Sequence, residues 1–160
     1  MSVVAPAERS SETKIFERTA KLLGGARVLG HKITSSMDAH EVVLGGLPGV
    51  ALHKLMDNLT VLDRDLSLEN GIGLSRRTYQ RSKEAPEKPL TVGQSGRAWK
   101  FAEILSRTIE VLGTQEEAEH WLERPALALN GQRPIDLLRT PAGVEMVETL
   151  LIRLEYGVYT

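Results

Sequence analysis

Leu66-Ser67-Leu68-Glu69-Asn70-Gly71-Ile72-Gly73-Leu74-Ser75-Arg76-Arg77-Thr78-Tyr79-Gln80-Arg81-Ser82-Lys83 reads as two short helices joined by a glycine turn, the second of them basic. With Gly73 at the turn of a helix-turn-helix, Leu68 and Ile72 before it and Leu74 and Tyr79 after it fall where the two helices must pack. The outer face of the second helix is left with Arg76, Arg77, Gln80, Arg81 and Lys83. Arginine forks fit guanine O6 and N7, a glutamine fits an adenine edge, and a lysine suits a phosphate. Ser75 and Thr78 add hydroxyl donors at the helix start, where the helix dipole already favours an anion. Most charge runs on helices are merely solvated, but here turn glycine, apolar spacing and charge coincide, and the stretch points to a reader of duplex DNA. Glu69 departs from the pattern, because the position four before the turn glycine usually carries a small residue where helices cross closely.

A chain of 160 residues with 41% hydrophobic content can bury a core as one ordinary domain or two small ones. Cysteine is absent, so disulfides, thiolate metal sites and cysteine nucleophiles are excluded, as suits a reducing cytoplasm. No apolar run nears the roughly 20 residues that span a bilayer, and residues 1–9 lack the basic start and apolar centre of a signal peptide. A soluble cytoplasmic protein is expected. Aromatic residues make up only 4%, while Leu, Ala, Glu and Arg are common, which favours helices packed by aliphatic side chains. The expected fold is all-α with at most one minor β-hairpin.

The net charge of −1 conceals a gradient. Residues 1–63 carry 7 Lys/Arg and 7 Asp/Glu, residues 64–100 carry 8 and 4, and residues 101–160 carry 5 and 10. One stretch is suited to a polyanion and the next would repel it, the pattern of two functions in series.

Ser10 or Ser11 is placed to cap a first helix running to Leu23, and Gly24-Gly25 to end it. Residues 26–32 show no clear pattern. Ser35 or Ser36 caps a short helix through Leu44, and Pro48 fits the first turn of the next, whose Val50, Leu52, Leu55, Met56 and Leu59 form a core stripe. A third helix is expected over 62–70, a turn over 71–74, and then the basic helix capped by Ser75. Pro86, Pro89, Gly93 and Lys88 mark 84–94 as the best linker candidate. From about Ser95 a long helix follows, with Ala98, Ala102, Leu105, Ile109 and Leu112 in one stripe and Phe101, Ile104 and Val111 widening it, so burial on several sides is expected. Thr114-Gln115-Glu116-Glu117 reads as a capping box opening a short helix to Pro125, Asn130-Gly131 as a turn, and Pro134 to Leu138 as one helical turn. Thr140-Pro141 starts the last helix, with Val144, Val147, Leu150, Leu151 and Leu154 inward and Gly157 as its stop.

Catalysis finds no residue set. His31, His40, His53 and His120 are too widely spaced for helical zinc motifs and read as surface or core histidines, so no metal and no cofactor is expected. The glycines at 45–49 and 71–73 lack the lysine and preceding strand of a phosphate loop and read as turns. Glu116, Glu117 and Glu119 read as acids complementing a helix dipole.

The C-terminal residues carry a resemblance. Ala118-Glu119-His120-Trp121-Leu122-Glu123-Arg124-Pro125, then Leu129 to Thr140 around Asn130-Gly131-Gln132-Arg133-Pro134, then Gly143 to Gly157, resemble the toxin-binding domain of the Xre/MbcA/ParS antitoxins over roughly 98–160. Leu74-Ser75-Arg76-Arg77-Thr78-Tyr79-Gln80-Arg81 resembles the Leu-Ser-x-Arg-Thr-x-x-Arg signature of the same family's DNA-binding domain, and residues 1–45 carry no distinctive match. The resemblance implies a non-enzymatic antitoxin that neutralises a RES-domain toxin, an enzyme acting on NAD, and that represses its own operon. It assigns toxin blocking to Arg153, Glu155, Tyr156, Gly157, Val158, Tyr159 and Thr160 at the end of the last helix. A cleft that holds a dinucleotide pyrophosphate must be cationic, and an acidic domain ending in two tyrosines and a carboxylate offers the complementary charge and aromatic area. Taken without the resemblance, Tyr156 and Tyr159 would be read as covering the domain's own core.

The expected organisation is an N-terminal helical region over 1–85 with the helix-turn-helix at about 48–83, a linker over 86–95, and a toxin-binding domain over 96–160. Partners are the cognate toxin, operator DNA and a second copy of the chain, since a two-fold dimer matches paired half-sites. The alternative is a stand-alone helix-turn-helix regulator with a C-terminal dimerisation or ligand-sensing domain.

Overall fold

The structure is a computed structural model that describes residues 6–157, and of residues 6–10 the backbone alone. Helix α1 spans Pro6–Leu22, so it opens before the two serines expected to cap it. Proline lacks an N–H to lose and is preset for a first turn, which places Ser11 within the helix; the Ser10 side chain lies outside the described residues. Gly24 and Gly25, at φ 107° and 78°, end α1 as expected. The unpatterned stretch after them forms α2 (Ala26–Leu29), closed by Gly30 in the left-handed region. Ser35 caps α3 (Ser36–Gly45), its hydroxyl accepting the Asp38 N–H at 3.1 Å. Pro48 is the residue before α4 (Gly49–Asn58) rather than in its first turn, and its extended backbone leads the chain in. Leu52, Leu55, Met56 and Leu59 are buried and Val50 is half-buried.

The helix expected at 62–70 begins two residues later. Asp63 caps it by accepting the Leu66 N–H at 2.8 Å, and α5 (Arg64–Leu66) runs on into a π-helical stretch, Ser67–Ile72. This wider coil carries the helix past Gly71, so the turn consists of Gly73, Leu74 and Ser75 instead of 71–74. Gly71 is a packing glycine: a Cβ there would lie 2.5 Å from Phe101 Cε2. Glu69 is exposed. The basic helix is α6 (Arg76–Glu84), which packs on α4; Leu68, Ile72 and Leu74 before it are buried and Tyr79 is half-buried.

Helix α7 (Val92–Leu112) starts three residues before Ser95, because Thr91 and Gln94 form a reciprocal capping box with both bonds at 3.1 Å. It is the central helix, packed against α1, α3, the π-helical stretch and the helices that follow it. Thr114 caps α8 (Gln115–Glu123) through the Glu117 N–H at 3.2 Å, although the return bond of a full box is not made among the described residues. The hairpin expectation reduces to one isolated bridge, Ala126 to Gln132, around a 3-10 turn at Leu127–Leu129 with Asn130 at φ 56° and Gly131 at φ 77°. A second 3-10 turn, Pro134–Leu137, precedes α9 (Pro141–Glu155), which Thr140 caps through the Gly143 N–H at 3.0 Å. The fold is all-α, with isolated bridges but no sheet among the described residues.

Residues 86–95 are docked rather than extended away. The Gly49 and Val50 N–H groups donate to Lys88 O at 3.1 Å and Pro86 O at 2.8 Å, and the Leu90 N–H donates to Leu47 O at 2.7 Å. One apolar core runs across this segment, from Phe16 through Leu55 and Phe101 to Leu151. No described helix is long and apolar enough to cross a membrane.

Candidate nucleic-acid and partner interfaces

Ser75 opens α6 by accepting the Thr78 N–H at 3.1 Å, which leaves the hydroxyl of Thr78 half-buried beside it. Ser82 turns inward. It donates to Tyr79 O at 2.6 Å and so accepts from His53 Nε2 at 2.8 Å, tying α6 to α4. The His53 ring stacks on Tyr79 at 4.6 Å, and burial pushes its pKa down. With 79 and 82 facing α4, the helical period turns Arg77 and Gln80 outward and places Arg81 on one flank and Arg76 and Lys83 on the other. All five, with Ser75, are exposed. They are not electrostatically equal. Arg76 is bonded back to Asp65 and lies 3.5 Å from Glu69, and Lys83 sits 5.1 Å above the Tyr79 ring. Arg77 and Arg81 enter no ion pair among the described residues.

The turn before α6 is set by residues far along the chain. Gly73, at φ 77°, needs the left-handed region, and Arg97 Nε of α7 donates to Ile72 O at 3.0 Å, satisfying a carbonyl the helix end leaves open. Asn70 Nδ2 donates to Asp136 Oδ1 at 2.7 Å, and Arg133 grips the same carboxylate with two bonds at 2.8 and 3.0 Å. Those Arg133 bonds are the first cause of the lowered Asp136 pKa, against which burial works.

Glu119 needs a different account from the dipole role the sequence gives it. Glu116 and Glu117 are exposed in the first turn of α8, as that role requires, but Glu119 is wholly buried. Its carboxylate accepts the N–H groups of Thr60, Val61 and Leu62 at 2.9 Å, the Thr60 hydroxyl at 2.8 Å and the Gln115 amide at 2.8 Å. Burial alone would raise its pKa; the Leu62, Val61, Gln115 and Thr60 donors outweigh it and hold the carboxyl below its ordinary range.

Arg153, Glu155, Tyr156 and Gly157 are exposed around the end of α9; Val158, Tyr159 and Thr160 lie outside the described residues. Tyr156 is 75% exposed, so it does not cover the core. The sequence reading missed three neighbours. Leu127 is 92% exposed on its 3-10 turn, and Met146 and Ile152 stand out from α9. A groove of about 360 Å³ between that turn and α9 is lined by Met146, Thr149 and Arg153, and a second on the opposite flank of α9 by Ile152 with Glu110, Glu148 and Glu155. Periodicity could have revealed Met146 and Ile152 as off-stripe apolar residues of α9. Leu127 sits in an aperiodic segment and left no such trace. His31 and His40 are exposed, His120 lies 3.4 Å from Glu123, and the described residues hold no metal-binding cluster.

Residues 107–157 match the family profile described as the Antitoxin Xre/MbcA/ParS C-terminal toxin-binding domain. The chain is 28% identical to a Pseudomonas putida protein named Antitoxin Xre over 79% of its own length and 76% of the relative's. It is 26% identical to a Photorhabdus laumondii protein of the same name, over 82% and 88%. The matched segment holds Glu119, Leu127, the Asn130-Gly131 turn and all of α9, and both relatives align well beyond it. Residues 107–157 are thus similar to the toxin-binding domain of the Xre/MbcA/ParS antitoxins, and most of the chain is similar to two proteins named Antitoxin Xre.

Proposed function

We propose that the chain neutralises a RES-domain, NAD-consuming toxin with the outer face of α9 and the residues after it, and represses its own operon with α6. The observation that carries the first half is the set of exposed apolar side chains, Leu127, Met146, Ile152 and Tyr156, inside the segment matched as toxin-binding. Isolated exposed apolar residues are ordinary, but four within one short segment already matched to toxin binding support this reading. The groove at Ile152 is lined by Glu110, Glu148 and Glu155 against the single cation Arg107, a net negative charge that suits a cleft built for a pyrophosphate. Arg153, Glu155, Tyr156, Gly157, Val158, Tyr159 and Thr160 occupy the cleft mouth in this reading.

The repressor half rests on α6. Its exposed Arg77, Gln80 and Arg81, with Ser75 and Thr78 at its start and Arg76 and Lys83 on its flank, have the donor chemistry of a major-groove helix, and a two-fold homodimer presents two copies to paired half-sites. The division of labour places the DNA-reading part within 1–85 and the toxin-binding part within 96–160. Co-expression with the product of the adjacent reading frame tests both halves: the two proteins co-purify, cellular NAD is preserved, and a reporter behind the operon's promoter is silenced. A neighbour that depletes NAD in spite of the chain refutes the neutralisation half, and an unsilenced reporter refutes the repressor half.

A further inference from the structure

The two flanks of α6 differ in charge. On the flank facing α5, Asp65 and Glu69 neutralise Arg76. On the flank facing α7, a groove of about 260 Å³ is lined by Thr78, Arg81, Lys88 and Gln94 and by no acidic residue. Arg81 and Lys88 are exposed there, and among the described residues neither enters an ion pair. One turn beyond Gln94 on α7 stands Arg97, already bonded to Ile72 O. Next to it the Arg139 side chain crosses the turn before α6: a Cβ on Gly73 would meet Arg139 Cγ at 3.4 Å and Arg97 Nε at 3.6 Å. Arg139 is exposed and, among the described residues, forms no ion pair. Cations from the docked 86–95 segment, from α7 and from the residue preceding α9's cap thus border one edge of the basic helix.

We infer that this edge is a phosphate track, with Lys88 and Arg139 as DNA-backbone contacts and Arg97 as the positioning residue that fixes the turn beneath Arg139. The inference rests on α6 entering a major groove. A helix so seated has a sugar-phosphate strand along each side, and the groove on the α7 side offers cations with hydroxyl and amide donors and no acid among them, whereas Asp65 and Glu69 stand on the α5 side. It follows that the segment read as a linker, and a residue inside the family-matched toxin-binding domain, both belong to the DNA face. Phosphate contacts carry no base information, so they raise affinity for every duplex while Arg77 and Gln80 supply selectivity.

The test uses the full chain and two fluorescent duplexes, the DNA upstream of its own reading frame and a scrambled version, titrated over a salt series. Each lost phosphate contact lowers the slope of log affinity against log salt by about 0.9, roughly a tenfold loss near 0.1 M salt. Lys88→Ala and Arg139→Ala each show that loss equally on both duplexes, and the double variant shows twice the slope change. Arg124→Ala, an exposed cation elsewhere, leaves the slope unchanged. Lys88→Gln and Arg139→Gln, which keep the stems that cover the groove and Gly73, repeat the effect and remove a folding explanation. Unchanged slopes in these variants, alongside lost binding in Arg77→Ala/Arg81→Ala, overturn the track while leaving α6 as the reader. Failure of the unmodified chain to bind either duplex overturns the track and the reading of α6 together.

Discussion

Glu119 accepts the backbone N–H of Leu62 at 2.9 Å, so the helix near the start of the toxin-binding segment is bonded to the loop that leads into α5. The same carboxylate takes the two preceding N–H groups, and the apolar core is continuous beneath it. The segment matched as toxin-binding and the loop before α5 are therefore parts of one packed body. Glu119→Ala leaves these donors without a partner at a cost of about 1–3 kcal/mol for each one buried, and a loss on the order of 3 kcal/mol in denaturant unfolding is expected. A loss below about 0.5 kcal/mol, the ordinary range of surface substitutions, would contradict the clamp.

Acid should find the same group. The folded-state pKa of Glu119 lies below its ordinary value of 4.5, and those of Glu103 and Asp136 are also lowered. Such groups bind protons more readily unfolded, so their stabilisation is complete above the unfolded pKa and fades as pH falls through the folded one. The denaturant midpoint should be level above pH 5 and fall progressively at lower pH, and Glu119→Gln should flatten part of that decline. An identical decline in the variant would remove Glu119 from the account.

Arg77→Ala with Arg81→Ala should abolish operator binding at physiological salt and leave toxin neutralisation intact. Both side chains are exposed, so stability should change by less than about 0.5 kcal/mol. Gel shift and growth rescue in parallel check the separation, and retained DNA affinity would remove α6 as the reader.

Leu127→Asp should leave the unfolding midpoint unchanged, since the side chain is 92% exposed, while weakening toxin binding at least tenfold, about 1.4 kcal/mol. Met146→Asp should behave alike. Calorimetric titration of purified toxin reads both, and unchanged affinity would move the interface off this face.

Much of this fold is legible in the sequence because helix ends are written locally. Ser35, Ser75, Thr114 and Thr140 each cap the helix expected of them, and Gly24, Gly46, Gly73 and Gly113 each stop one. What escaped is set by distant partners. The Thr91-Gln94 box was masked by the prolines before it, and the contact that requires a glycine at 71 comes from Phe101, thirty positions away in the chain. Glu119 looked like one acid among three because its donors lie in a loop nearly sixty residues upstream. On the basic helix, composition gave the cations but not their pairing, which sets Arg76 apart from Arg77 and Arg81.

The neutralisation claim is tested most directly by the NAD-consuming activity of the purified toxin in the presence of the full chain and of a form lacking residues 156–160. The account predicts that the full chain silences the toxin and that the shortened chain, still folded and still bound to operator DNA, releases it. Complete silencing by the shortened chain would contradict it.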